Sequence, residues 1–398
     1  MSCQQIIDAP VPDLKWDAFD NPNAKPLSFN ERQQLEGVYT VGESKDDFGE
    51  EAALKWSYVA DKNDTTYYLS FFCAEDVRYF ICRGKKIKDT ILLNGYWRNV
   101  ENTKTGKAHF TISGNQQKQI LSINGVYGLF EDEPEKKINF QYARPLYKKE
   151  PYYIVAHRGG GRSNDLLPAS ENSVEMILLA AQLGGNGIEI DIQTTKDGVP
   201  VLFHDANISD RTTTKTTISY AIDHYSFAEL QKEVKLKRGG KIPTLQQALE
   251  TVLYKTPLEF VWIDCKYKEA VPAIVKLQQE FTVKAASMGK RLSIVIGLPD
   301  EEVFNAFMQV PNHKTIPSLC ELDTTKVMQV NASIWAPSWA KGHQDEIVAA
   351  IHAKEKKAIV WTVDVPDKIK ECIYEAKFDG ICTNRPSMAA YYYYARNP

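Results

Sequence analysis

The sequence predicts an α/β protein in which a (β/α)8 barrel follows a smaller all-β domain. Three observations predict it. From Tyr152 onward, short apolar runs alternate with amphipathic helical stretches about eight times, the pattern of a parallel sheet covered on both faces. Before that point lie short runs rich in aromatic and β-branched residues, separated by polar turns. The length, 398 residues, suggests two or three domains at roughly 150 residues each.

Residues 1–30 are rich in Pro and Asp and read as an extended arm. Residues 31–148 form the β-rich part. Its runs GVYTVG, LKWSYVA, TYYLSFF, VRYFICRG, TILLNGYWRNV, KAHFTISG, QILSING and INFQYA are parted by turns such as DKND, KTG and SGNQQ. Short strands at near-regular spacing suggest a small barrel or sandwich. LEGVYTV and GYWRN resemble a lipocalin-type barrel, while EDEPEKK reads as a solvated charge run.

Residues 149–398 carry the alternation. IVAHR leads to the helical SVEMILLAAQLG, ended by Gly184 and Gly185. GIEIDIQ and VLFHD follow, then TLQQALETVLYK, opened by Pro243 and Thr244. LEFVWIDCK, RLSIVIGLP, TIPSLCEL, SIWAPSW, KAIVWTVD and FDGICTNRP read as the later strands, with helical stretches after LEFVWIDCK, RLSIVIGLP, SIWAPSW and KAIVWTVD. Tyr391–Tyr394 are expected to pack the last helix onto a neighbour. About eight strand–helix units over this length fit a (β/α)8 barrel, whose active site lies at the C-terminal strand ends.

Composition bounds the function. The hydrophobic share of 43% and charged share of 25% are ordinary, and a net charge of -3 gives no electrostatic case for nucleic acid or an anionic membrane. Seven cysteines without CxxC spacing argue against a zinc ribbon or dense disulfides. The spacing lets Cys73 and Cys82 face each other across a hairpin as a bridge. No apolar run reaches the ~20 residues of a membrane span. The start MSCQQ resembles a mature bacterial lipoprotein anchored at Cys3, which places the chain in the periplasm or cell envelope. The other reading is a plain cytoplasmic start.

The candidate chemistry sits in residues 154–205. His157 and His204 each end an apolar run, and Glu189 and Asp191 stand two apart inside another. Residues i and i+2 of a strand share a face, so the carboxylates converge. Within GIEIDIQ, a strand buried on both faces, unpaired carboxylates are costly, and a metal is the simplest compensation. Two imidazoles and two carboxylates are the ingredients of metal-assisted hydrolysis with acid/base help. Asp264, Lys266 and Trp361 also fall near strand ends. His224, His313 and His352 match no motif and read as surface residues.

HRG at 157–159, EN at 171–172, EIDIQTTKDG at 189–198, VLFHD at 201–205, DRTT at 210–213, IPTL at 242–245, WTVD at 361–364 and DGICTNRP at 379–386 occur in this order. Together they resemble the glycerophosphodiester phosphodiesterase family, within the phospholipase-C-like phosphodiesterase superfamily of TIM barrels. The resemblance implies metal ligands at Glu189, Asp191 and Asp264, the last a shorter carboxylate than the family's glutamate. It implies His157 and His204 as general acid and base, Arg158 as phosphate contact and Lys266 as charge stabiliser. Asn172 positions a catalytic group or caps the helix, and Trp361 walls the alcohol moiety or packs the barrel. One hard divalent cation, Mg²⁺ or Ca²⁺, suits such an oxygen site. The implied reaction releases glycerol 3-phosphate and an alcohol from a small or lipid-derived phosphodiester. The alternatives are a phospholipase C- or D-like activity on a lipid, inositol or polymeric phosphodiester, and a binding protein that kept the barrel. The loop GGRSNDLLPASENS is longer than the family's and adds Arg162 beside the site.

Overall fold

The structure, a computed structural model, describes residues 11–62, 64–74, 78–102, 104–113, 117, 121–163, 165–214 and 216–397. Cys3, and with it the expected lipid anchor, lies outside them. No described helix is long and apolar enough to cross a membrane.

Eight strands, with the short strand Lys25–Pro26 added at the edge against Arg78–Ile87, close the first domain's barrel: Gly37–Val41, Glu51–Asp61, Asp64–Cys73, Arg78–Ile87, Thr90–Asn99, Thr105–Ser113, Ser122–Tyr127 and Lys136–Arg144. Each pairs antiparallel with the next, and the last returns to the first, so the sheet closes into a barrel. Alternation divides each strand between two environments. Phe71, Phe80, Phe110 and Phe140 point inward, with ring centroids 5.1–6.2 Å apart. The short helix Lys45–Phe48 adds Phe48 to them, 4.6 Å from Phe80. Side chains fill this lumen, as the interior of a barrel of eight strands allows. Phe71→Ala is expected to lower the stability of this domain by about 3–5 kcal/mol, read from chemical denaturation.

Several outward-facing residues between them are apolar too. Phe72, Tyr79, Ile81 and Tyr96 join the same core as the helices of the second domain, so the two domains are welded by a shared apolar face. The terminal helix Pro386–Tyr394 lies in that seam. Its Tyr393 stacks on Tyr152 at 5.5 Å and meets Tyr147 edge-on at 5.6 Å, which is the packing expected of the tyrosine run. The Cys73–Cys82 bridge does not form. Register sets Leu69 opposite Cys82, and both cysteines are buried free thiols.

Eight parallel strands make the second domain: Tyr153–Ala156, Gly187–Thr194, Phe260–Cys265, Ser293–Leu298, Ser318–Cys320, Ile334–Trp335, Lys357–Val360 and Gly380–Thr383. The first pairs with both the second and the last, so the sheet closes. The VLFHD run is not one of the eight. Pro200–Leu202 folds back antiparallel onto Gly187–Thr194, and His204 follows this return. Val155, Phe260, Trp262, Val295, Leu319, Ile334, Ile359 and Cys382 fill the barrel interior. One alternation step further along each strand lies the mouth. His313, read as a surface residue, is half-buried, its ring 6.0 Å from Phe307. His224 and His352 are exposed.

Candidate active site

Tyr153–Ala156 delivers His157 to the mouth, and a tight turn follows. Arg158 there holds a left-handed backbone (φ 52°) and Gly159 another (φ 85°). A non-glycine residue in that region costs on the order of 1–3 kcal/mol. The turn aims the Arg158 backbone N–H at Glu189, donating to Oε2 at 2.8 Å. Register sets Glu189 beside Trp262 and Asp191 beside Asp264, so both carboxylates share the face that Trp262 presents to the interior. One oxygen each of Glu189, Asp191 and Asp264 lies within 4.8 Å of the other two, and all three residues are buried.

Lys266 Nζ stands 2.8 Å from Asp191 Oδ1 and also contacts Asp264 Oδ2. Asn172 gives both ends of its amide to Asp191: Nδ2 donates to Oδ2 at 2.7 Å, and Oδ1 accepts from the backbone N–H at 3.1 Å. The helix cap is Ser173 instead, whose Oγ accepts from Met176 N. Glu189 Oε1 and Asp264 Oδ1 are buried and have no hydrogen-bond partner. Such orphaned anionic oxygens are costly, and an all-oxygen set suits a hard divalent cation. The residues therefore fit the expected metal.

The electrostatics agree. Burial, then the charges of Asp191 and Asp264, push Glu189 well above the usual carboxylate range. Burial also raises Asp264, against the pull of Lys266. For Asp191, Lys266 and the neighbouring His and Arg side chains outweigh burial and hold it well below that range. Burial would lower Lys266, but Asp191 and Asp264 outweigh it and keep the ammonium charged.

His157 Nδ1 meets Asn384 Oδ1 at 2.8 Å. Asp364 fixes that amide by accepting from Asn384 Nδ2 at 2.7 Å and Asn384 N at 2.8 Å. The amide therefore turns its oxygen to His157, and Nδ1 carries the proton. Nε2 keeps its lone pair and lies 3.7 Å from Glu189 Oε2. Burial, then Arg158, push the His157 pKa down to about 4. His204 Nδ1 is 2.9 Å from Asp205 Oδ1.

Arg158 is buried and donates Nη1 to Glu171 at 2.9 Å. Arg162 forks onto Asp165 and lies 3.8 Å from Asp364. Trp361 packs on the interior cluster and donates Nε1 to Ala336 O at 2.8 Å. The first domain reaches this mouth twice. Arg98 Nη1 donates to Leu166 O at 2.5 Å, and Glu101 accepts from Arg385, the neighbour of Asn384, at 2.8 Å.

Sequence reasoning missed Glu171, Asp205, Arg211, Glu321, Asp364 and Asn384. Most of these lie inside the matched motifs without drawing notice as working groups. Glu321 was findable, because it stands two residues past the inward Leu319. Its Oε1 is buried without a partner, and burial pushes it well above the usual carboxylate range.

A closed (β/α)8 barrel with carboxylates, imidazoles, Arg and Lys gathered at its C-terminal strand ends has the layout of a barrel enzyme. The sequence profile of the Glycerophosphoryl diester phosphodiesterase family matches residues 157–388, and the chain belongs to that family. Human Glycerophosphodiester phosphodiesterase 1 is 35% identical over 141 residues, which are 34% of this chain and 41% of the human protein. The Glycerophosphodiester phosphodiesterase of Caldanaerobacter subterraneus subsp. tengcongensis is 24% identical over 242 residues, 58% of this chain and 94% of the bacterial one. The solved structure of a "Putative glycerophosphoryl diester phosphodiesterase" from Silicibacter pomeroyi DSS-3 aligns with a TM-score of 0.50 and 18% identity over 61% of this chain and 93% of its own. At that identity the likeness speaks to fold. The chain spans less than half the length of the human and bovine relatives it matches, 41% and 44%.

Proposed function

We propose that this protein hydrolyses glycerophosphodiesters to glycerol 3-phosphate and an alcohol. The observation that carries the reading is the convergence of Glu189, Asp191 and Asp264, with two buried oxygens unpartnered, beside two imidazoles, Arg158 and Lys266. Glu189, Asp191 and Asp264 would hold Mg²⁺ or Ca²⁺, which when bound supplies positive charge to the phosphodiester oxygens.

The chain's own residues divide the remaining work. Arg158 faces the anionic ester with a guanidinium held by Glu171. A water attacks phosphorus and passes a proton to the free Nε2 of His157 as the new P–O bond forms. His204 passes its proton to the leaving oxygen as the P–O bond to the alcohol breaks. Lys266 stays charged against Asp191 and offsets the negative charge that builds at phosphorus.

Phosphorus NMR of glycerophosphocholine, glycerophosphoethanolamine and glycerophosphoinositol, with Mg²⁺ or Ca²⁺ and again with EDTA, tests the reading. Metal-dependent appearance of glycerol 3-phosphate is expected. A phosphorylated head group as product would redirect the reading to a phospholipase C-like cleavage, and no turnover would set it aside.

A further inference from the structure

The DRTT motif places Arg211 where it contacts neither imidazole nor metal ligand, yet its guanidinium is fully engaged. Nε and Nη2 each donate to Asp205 at 2.6 Å. Nη1 and Nη2 donate to Glu171 at 2.9 and 2.7 Å. Each carboxylate then ends on a working group. Asp205 holds Nδ1 of His204. Glu171, only 3% exposed, takes Nη1 of Arg158 and the backbone N–H of Ser163. Charges alternate along the whole line, from Arg158 through Glu171, Arg211 and Asp205 to His204. The loop bearing Arg211 is itself fixed: Thr213 Oγ1 donates to Ser209 O at 2.8 Å, and Lys237 N to Thr212 O at 2.9 Å.

We propose that Arg211 is a positioning residue for proton delivery to the departing alcohol, acting on His204 through Asp205. This rests on the phosphodiesterase reading above. Two carboxylates around one site repel each other unless a cation lies between them. Arg211 supplies that cation in a planar fork that fixes both carboxylates at once. Asp205 is then held against Nδ1 of His204, which sets the tautomer and the direction of Nε2. Without Arg211, Asp205 is free to turn away. His204 then loses its orientation, whereas Glu171 still has Ser163 N to hold it on Arg158.

The test uses two substrates that differ only in the leaving group. Glycerophosphocholine releases a strongly basic alkoxide that needs a proton. The p-nitrophenyl ester of glycerol 3-phosphate releases a stable phenolate that does not. Wild-type turnover of both is the control; if neither reacts, the phosphodiesterase reading fails rather than this one. Arg211→Met is expected to lower kcat/KM on glycerophosphocholine by about 100-fold, the scale of a lost proton-transfer group, with a far smaller loss on the aryl ester. Asp205→Asn should show the same selectivity. In a His204→Ala background, Arg211→Met should add no further selective loss, since coupled sites are not additive. Equal losses on the two esters, or full additivity with His204→Ala, would overturn the proposal. Should Arg211→Met fail to fold, Arg211→Lys carries the test, because it keeps the charge but cannot fork onto both carboxylates.

Discussion

His204→Ala is expected to lower kcat on a glycerophosphodiester by about 10²–10⁴-fold, the usual contribution of a positioned proton-transfer group. The thermal midpoint should move little. The side chain is 32% exposed and meets Asp205 through Nδ1 at 2.9 Å, so its removal opens no buried cavity. Asp205 keeps Arg211 as a partner when the ring is gone. His157→Ala makes a useful contrast, since that ring is half-buried against Asn384 and Glu189 and its loss strands the Asn384 oxygen. There both turnover and stability should fall, because an unsatisfied buried acceptor costs about 1–3 kcal/mol. Steady-state kinetics and a melt on each purified variant separate the two cases. Unchanged turnover in His204→Ala would mean that the proton reaches the leaving group by another route.

The residues that the sequence exposes best are those whose environment contradicts their type. Glu189 and Asp191 interrupt a strand that is otherwise continuously apolar, and the structure finds them buried together. Barrel closure was legible for a similar reason, since strands apolar on both faces demand helices on one side and an interior on the other. The first domain was legible only in part. Its aromatic runs signal strands, but Phe72, Tyr79, Ile81 and Tyr96 place buried apolar side chains on the outer face as well. That is the signature of a second buried face, and it becomes readable only once the neighbouring domain is in place.

The return of VLFHD as an antiparallel strand was hidden for another reason. A run of three paired residues looks the same in either direction, and only the register against Gly187–Thr194 decides it. Glu171, Arg211 and Asp205 were illegible because each is an ordinary surface-type charge in sequence. Only the fold brings them into mutual contact, across 40 and 6 residues of separation. Arg98 is the extreme case: a cation on the outside of a β-barrel that is 2% exposed, because another domain's loop carbonyl lies against it.

Asp264 separates the metal reading from the simpler one in which it is an ion-pair partner of Lys266. As a metal ligand, Asp264→Ala should weaken Ca²⁺ or Mg²⁺ binding by at least the ~10–100-fold that indirect changes around a metal produce. Asp264→Glu, which restores the family's longer carboxylate, should bind at least as well as wild type. Calorimetric titration of each metal into the purified protein reads both. The metal-free protein gives a second, opposite sign. Burial and Asp191 raise the Asp264 carboxyl in the fold even against the pull of Lys266, so its charge is carried at a cost whenever no metal ion is bound. Asp264→Asn should therefore melt above wild type in EDTA, since Lys266 still has Asp191 at 2.8 Å. Wild type should regain the lead as metal is added, because a ligand that binds only the folded state stabilises it by RT ln(1 + [L]/Kd). An ion-pair role predicts the reverse, a lower melt for Asp264→Asn in EDTA and no crossing when metal is added. A crossing of the two melting curves as metal rises can come only from a carboxylate that is unfavourable alone and favourable on a cation.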